Sequence, residues 1–483
     1  MAKSRYTPLL ILALVLLGVS LLACPTLIRA LPGRYAYYLP EPLQALRHNP
    51  HPDVLPTPVF TYTLTPIRLD TPTPLTPTPT TTPTPVPPTP TSLPTATPFR
   101  TPTPTPPLQF TLTGLRHEHQ GWNNCGPTTL AMALSYWGRR ETQYDVAPIL
   151  KPDPEDKNVS PWEMESYTRA LPSASGGPGG VGTLPPASGG PGGVGTLPPA
   201  SEEPGGVGTL PSASGGPGGV GTLPPASGGP GGVGAIVRVG GTLEQLKALL
   251  RAGFPTIVET WYVRDARDQL GHYRLVIGYD DAAQEFLTYD SLHGPDVTIG
   301  YQELDELWRV FNRIYLVVYA PERWEALAAA LGPDLDDAAM YERALETAHL
   351  EVMSPPEVCV AYAKCADWVT FSWFDIGTSL TSLGRHAEAV MAYDQARQLG
   401  LHYRMLWYQF GPYESYYAVG RYDDVIALAD ATLATANNLE ESYYWRGMAR
   451  LAQGNADGAR ADLKAALHYH ENWPPAVIAL SGF

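Results

Sequence analysis

A cysteine at position 125 stands at the head of an apolar helical pattern, in the run Gln120-Gly-Trp-Asn-Asn-Cys125-Gly-Pro. Leu130, Ala131, Leu134 and Trp137 recur at helical spacing, Pro127 suits a first helical turn, and Gly138 suits a stop. A thiol there faces unpaired backbone N–H groups and the positive end of the helix dipole. Both favour thiolate, the nucleophilic form. Gln120 could direct its amide NH2 at an oxyanion forming beside the sulfur, together with the Cys125 N–H. The plainer reading makes Cys125 a small core residue and Gln120 a loop amide.

A nucleophilic thiol needs a base. The run Gly271-His272-Tyr-Arg-Leu-Val-Ile-Gly-Tyr-Asp280 reads as a strand opened by His272, and Glu285-Phe-Leu-Thr-Tyr-Asp290 reads as the next. Asp280, Asp281 and Ala282 form the turn between them. Pairing these strands antiparallel brings His272 near Asp290, so that His272 takes the thiol proton and Asp290 fixes its tautomer. Alone, a strand histidine is more often a structural residue. His117 and His119 precede the cysteine and His293 falls in a turn, which makes them poorer candidates.

These residues resemble the papain-like cysteine peptidases of the bacteriocin-processing, double-glycine type, in their stand-alone bacterial form. The resemblance covers about Leu108 to Pro321 and includes the tract from Thr242 to Val258, similar to the family's helix and first barrel-like strand. It implies Gln120 as oxyanion donor, Cys125 as nucleophile, His272 as base and Asp290 as orienting acid. Ser291 follows the aspartate where relatives often carry proline.

The remaining chain says where such a domain would work. Lys3 and Arg5 precede a charge-free run from Pro8 to Ile28, long enough for a signal sequence or a single membrane span. Leu21-Leu-Ala-Cys24 also resembles a lipoprotein box, with Pro25 and the apolar continuation favouring an uncleaved anchor. From about Pro50 to Pro107 Thr-Pro alternation dominates, which favours extended polyproline II and a spacer reaching on the order of 150 Å. Inside the catalytic region a Gly/Pro-rich unit repeats every 13 residues, starting at Ala174, Ala187, Ala200, Ala213 and Ala226. Such a tract cannot build a core. It reads as an expanded surface loop, or as Gly-Gly pairs mimicking a double-glycine cleavage site.

After Pro321 alanine-rich helical patterns take over. Gly384, Gly420 and Gly454 lie 36 and 34 residues apart, with Ala389, Tyr393, Ala396, Ala429, Gly447, Ala459, Leu463 and Ala466 at matching places. This part resembles a tetratricopeptide solenoid of three repeats, which implies a concave groove for a protein segment. Tyr413, Tyr416, Tyr417, Tyr443, Tyr444 and Trp445 line that groove or form inter-repeat core. Cys359 and Cys365 are too far apart for a disulfide if one helix carries both, so the helix breaks there or they stay free.

The expected fold is thus an α+β papain-like cysteine peptidase domain followed by an all-α tetratricopeptide (TPR) solenoid. The expected layout is a signal or anchor helix (1–30), a disordered Pro/Thr stalk (31–107), the peptidase-like domain (108–321, with insertion 173–234) and the helical repeats (322–483). The expected location is the membrane, by a single-pass anchor with extracytoplasmic domains, the alternatives being a lipoprotein at Cys24 or a secreted protein. Expected partners are a protein or peptide substrate, a protein held by the repeats, and the membrane. A net charge of −15 speaks against nucleic acid. No Walker-type motif and no His/Cys set at metal-ligand spacing is visible, so no cofactor or metal is expected. Peptide-bond hydrolysis leads two alternatives, a non-catalytic peptide-binding scaffold or adhesion protein and an acyl-transferring, transpeptidase-like enzyme with the same triad.

Overall fold

The computed structural model describes residues 53–59, 106–172, 232–265, 268–359 and 366–483, with isolated positions 28, 31, 35, 39 and 43. The apolar amino-terminal run, Cys24, Cys365, most of the Thr-Pro stalk and nearly all of the 13-residue repeats lie outside them. No helix among the described residues is long and apolar enough to cross a membrane.

A short strand β1 (Gln109–Thr111) leads to α1 (Cys125–Tyr136), which begins at Cys125 as its pattern predicts. Gly126 to Leu134 are all buried, so α1 is a central helix rather than a surface one. Gly138 turns the chain out of α1 at φ +77°, a conformation glycine adopts without strain. Then come α2 (Gln143–Leu150) and α3 (Pro161–Ala170), the latter opened by Ser160 accepting from the Glu163 N–H at 3.2 Å and by Pro161 at the first helical position.

The rest of this unit is β2 (Gly234–Arg238), α4 (Leu243–Arg251), β3 (Thr256–Asp265), β4 (Asp268–Asp280), β5 (Glu285–Asp290), β6 (Gly294–Gly300), α5 (Tyr301–Trp308) and β7 (Tyr315–Tyr319). The strands lie in the order β2-β7-β3-β4-β5-β6, every pair antiparallel, with β1 on the far end of β4. The β4–β5 turn falls where the sequence predicts it, but β4 begins at Asp268, upstream of His272. Thr260 pairs with His272 and Glu259 with Tyr273, which makes β3 and β4 one long hairpin. Along β4 successive side chains alternate faces. The face carrying Tyr273 meets α1, where a Cβ on Gly126 would lie 3.4 Å from the Tyr273 ring. The face carrying Arg274 and its partner Asp290 is the one on which Phe286 of β5 meets Tyr301 of α5.

The carboxyl-terminal part is helical: α6 (Trp324–Leu331), α7 (Asp337–Met353), α8 (Ala366–Ser382), α9 (His386–Gln398), α10 (Gly411–Ala418), α11 (Tyr422–Thr435), α12 (Glu440–Ala452), α13 (Ala456–Tyr469) and α14 (Pro474–Ser481). Gly384, Gly420 and Gly454 close α8, α10 and α12 at φ +71°, +77° and +81°, so the same left-handed turn reverses each helical hairpin. Tyr393 packs so tightly under Gly377 that a Cβ there would lie 2.4 Å from its ring. A buried network of Arg397, Asp424, Arg421 and Asp394 ties α9 to the head of α11. Tyr413, Tyr416, Tyr444 and Trp445 are core residues, which decides for these four between groove and core. The chain leaves helical geometry between α7 and α8, where Cys359 is disulfide-bonded, so the helix does break.

The helical unit docks on the tip of the β3–β4 hairpin. Trp261 meets Phe371 and His402 with ring centroids 6.1 and 5.4 Å away, and Arg404 donates to the Gln269 carbonyl at 2.5 Å. Within the region read as stalk, 53–59 lies extended along the helical unit. Leu55 N–H donates to the Leu401 carbonyl at 2.8 Å, Arg397 donates to the carbonyls of Pro56 and Thr57, and Val59 N–H donates to Asp424 at 3.0 Å.

Candidate active site

The loop before Cys125 is held by Gln143, the first residue of α2. Its Oε1 accepts from Gly121 N–H at 2.5 Å and Asn124 Nδ2 at 3.0 Å, while its Nε2 donates to Glu118 at 2.8 Å and to the His119 carbonyl at 2.7 Å. No motif marks Gln143 in the sequence. Gln120 is tied elsewhere: its N–H donates to the Ser291 carbonyl at 2.9 Å and its Oε1 accepts from Ser291 Oγ at 2.8 Å. Ser291 therefore anchors Gln120, the expected oxyanion donor. Among the described residues no hydrogen bond joins the Gln120 side chain to Cys125.

Cys125 lines a cavity of about 10 Å³, room for a single water, with Asn123, Lys157, Val159, Glu259, Gly271 and Tyr273 around it and Tyr408 of the helical unit across it. The Tyr408 hydroxyl is hydrogen-bonded to the Gly271 backbone, and Lys157 Nζ sits 4.5 Å from the Trp407 ring centroid. The Cys125 sulfur accepts from the N–H of Tyr273, the residue after His272. Burial pushes this thiol from an ordinary 9.0 up to about 11, with the Glu259 carboxyl adding to the rise and the Tyr273 N–H opposing it. The thiolate expected from the helix end is not the form this pocket favours. A helix terminus contributes about 0.3 to 1 kcal/mol, whereas a rise of this size corresponds to about 3 kcal/mol. Desolvation wins. Glu259 is buried against Tyr273, and burial raises its carboxyl to about 8.

The other half of the expected triad is assembled. His272 Nε2 lies 3.0 Å from Asp290 Oδ1, which also accepts from the N–H groups of Leu292 at 2.8 Å and His293 at 3.0 Å. Asp290 Oδ2 lies 3.2 Å from Arg274 Nε and 3.1 Å from His293 Nδ1. Burial would raise the Asp290 carboxyl, but the His272 hydrogen bond and charge and the Arg274 guanidinium hold it far below the usual carboxylate range. Burial lowers the His272 pKa despite Asp290, so the imidazole is neutral near pH 7, the form a base requires. His293 is therefore not the isolated turn residue its position suggests, and His117 Nε2 contacts the Asp290 carbonyl at 3.0 Å.

His272 and Asp290 are thus together, and Gln120 joins them through Ser291. Cys125 stops one residue short. Its sulfur meets the Tyr273 main chain, the His272 ring leaves β4 on the opposite face from the Tyr273 ring, and no hydrogen bond joins Cys125 to His272 among the described residues. Arg274, His293, Glu259 and Tyr408 complete the surroundings, and none follows from the local motif. Among the described residues two groups present ligand atoms within 4.8 Å of one another, His272 with Asp290 and His293, and Glu163 with Glu440 and His470. In the first, Arg274 already supplies a cation to Asp290.

No protein-family model, curated protein or solved structure matches the chain.

Proposed function

We propose that the chain is a papain-like cysteine peptidase in a resting, closed conformation, with a tetratricopeptide-like helical unit as its cover. The observation that carries this reading is the contact of the Cys125 sulfur with the N–H of the residue next to His272, while His272 is held by Asp290. Because His272 leaves β4 on the face opposite Tyr273, a Cys-His-Asp relay requires a rearrangement of β4 that carries the imidazole round to the sulfur. His272 would then take the thiol proton and the thiolate would attack a peptide carbonyl. The acyl-thioester so formed would be released by water. The Cys125 N–H and the Gln120 amide are the oxyanion donors of this mechanism.

Tyr408 must leave first, since the closed cavity holds about one water and no peptide. The extended seat of 53–59 on the helical unit supports a role for that unit in holding peptide segments. The disulfide at Cys359 fits an oxidising compartment, and with the apolar amino-terminal run it supports an exported, membrane-anchored protein. The test is hydrolysis of a peptide library by full-length protein in detergent, read by mass spectrometry, for wild type, Tyr408→Ala and Tyr408→Ala/Cys125→Ala. Cleavage should rise in Tyr408→Ala and vanish with Cys125→Ala, and no cleavage in either form would sink the peptidase reading. Transfer to an added amine in place of hydrolysis would move the assignment to an acyltransferase.

One observation favours a second reading. A thiol raised to about 11 and covered by Tyr408 suits a non-catalytic scaffold, in which Cys125 is a packing residue. That reading requires Tyr408→Ala to leave the protein without activity.

A further inference from the structure

Next to Lys157 and Val159 of the Cys125 cavity, the α2–α3 loop and the head of α3 meet the start of α12 and the end of α13. Four carboxylates converge there: Asp156, Glu440 and Glu441, each about 5% exposed or less, and Glu163, which is half-buried. His470 Nδ1 lies 2.7 Å from Glu440 Oε1, and Glu163, Glu440 and His470 each present a ligand atom within 4.8 Å of the other two. Glu163 spends Oε2 on the Ser160 N–H at 2.7 Å. The near cation Lys151 spends its ammonium on the carbonyls of Pro154 and Asp156, at 3.1 and 2.8 Å.

A second, independent observation is a pair of buried acceptor oxygens without partners in the same cluster. Asn158, 5% exposed, donates Nδ2 to Glu441 Oε1 at 3.1 Å, yet its own Oδ1 and Glu441 Oε2 are both buried without a hydrogen-bond partner. Buried oxygen acceptors left bare cost about 1 to 3 kcal/mol each. Two such oxygens beside a cluster of carboxylates are what a bound cation satisfies.

We propose that Glu163, Glu440 and His470 bind one divalent first-row transition ion, of the Zn²⁺ or Mn²⁺ class, that clamps the helical unit onto the peptidase-like unit. An imidazole with carboxylates suits Zn²⁺ or Mn²⁺ better than Ca²⁺ or Mg²⁺, which take all-oxygen sets. The ligands come from α3, α12 and the residue after α13, so no sequence spacing announces them. Because the ligands come from both units, the ion would strengthen the contact that holds Tyr408 over Cys125.

The test uses untagged full-length protein in detergent, stripped with EDTA, and titrates ZnCl₂ and MnCl₂ by calorimetry with metal counted by mass spectrometry. One ion per chain is expected, with affinity at least tenfold weaker in Glu440→Gln and in His470→Gln and unchanged in His293→Ala, which disables the other histidine-aspartate group. Circular dichroism confirms that each variant is folded, and Glu163→Gln reports from the opposite unit if Glu440→Gln is not. Wild-type protein that binds no ion overturns the proposal and leaves protons as the neutralising charge. Binding lost in His293→Ala but kept in the Glu440, His470 and Glu163 variants overturns it too.

Discussion

Replacing Glu259 by Gln should remove a pH dependence of stability that the Cys125 pocket imposes. The carboxyl titrates at about 8 in the fold against an ordinary 4.5, because burial disfavours its charge. Below pH 4.5 it is neutral folded and unfolded, and wild type and variant differ by a constant. As pH rises from 4.5 to 8 the unfolded state releases the proton while the folded state keeps it. The folded state therefore binds more protons, and wild-type stability falls through that window. At about 1.36 kcal/mol for each pH unit of separation the loss is on the order of 5 kcal/mol, complete above pH 8. Glutamine cannot ionise, so Glu259→Gln should escape it. Urea unfolding of both proteins at half-unit steps from pH 4.5 to 9, with the difference in unfolding free energy plotted against pH, measures the effect. A flat difference across that range would refute the argument that Glu259 is buried neutral beside the thiol.

Other expectations follow from single residues. Gly377→Ala drives a methyl into Tyr393, 2.4 Å away, and should cost about 1 to 3 kcal/mol in thermal unfolding, an effect that Tyr393→Leu in the same chain should relieve. Asp394→Ala takes one of two carboxylate partners from the buried Arg421, which keeps Asp424, and leaves the buried Tyr416 hydroxyl without its acceptor; it should cost about 1 to 3 kcal/mol by urea unfolding. His272 has its pKa lowered by burial, so its contribution is whole above the unfolded value of about 6.5 and is lost as pH falls below it. His272→Gln should therefore flatten the acid side of the stability profile, as read by the melting midpoint between pH 5 and 7.5.

Much of the local architecture is legible in the residues. Leu130, Ala131 and Leu134 with Gly138 delimit α1, Asp280 and Asp281 mark the β4–β5 turn, and Gly384, Gly420 and Gly454 mark the helical reversals. Periodicity and turn chemistry are local properties, and they survive folding. His272 and Asp290 meet because strand pairing follows from that turn. What the sequence conceals depends on contacts between distant segments. Tyr408 lines the Cys125 cavity from more than half the chain's length away, and burial in that cavity turns a site that favours thiolate into one that favours thiol. Arg274 and His293 share Asp290 because the β4–β5 register sets Arg274 opposite Asp290 and the tight turn after β5 brings His293 back to it. Val54 to Val59 read as spacer, but Leu55 and Pro58 are buried against helices that the local composition does not foretell.

The account turns on whether Tyr408 silences a thiol that His272 can activate. The direct measurement is the alkylation rate of Cys125 by iodoacetamide at pH 7, mapped by peptide mass, in wild type, Tyr408→Ala and Tyr408→Ala/His272→Ala. A thiol at about 11 rather than an ordinary 9.0 carries about 100-fold less thiolate at neutral pH. Wild type should therefore alkylate about 100-fold more slowly than a free thiol, Tyr408→Ala should recover at least that factor, and the double variant should lose the gain. A Tyr408→Ala protein that stays slow, or one that reacts fast with or without His272, would contradict the resting-peptidase account.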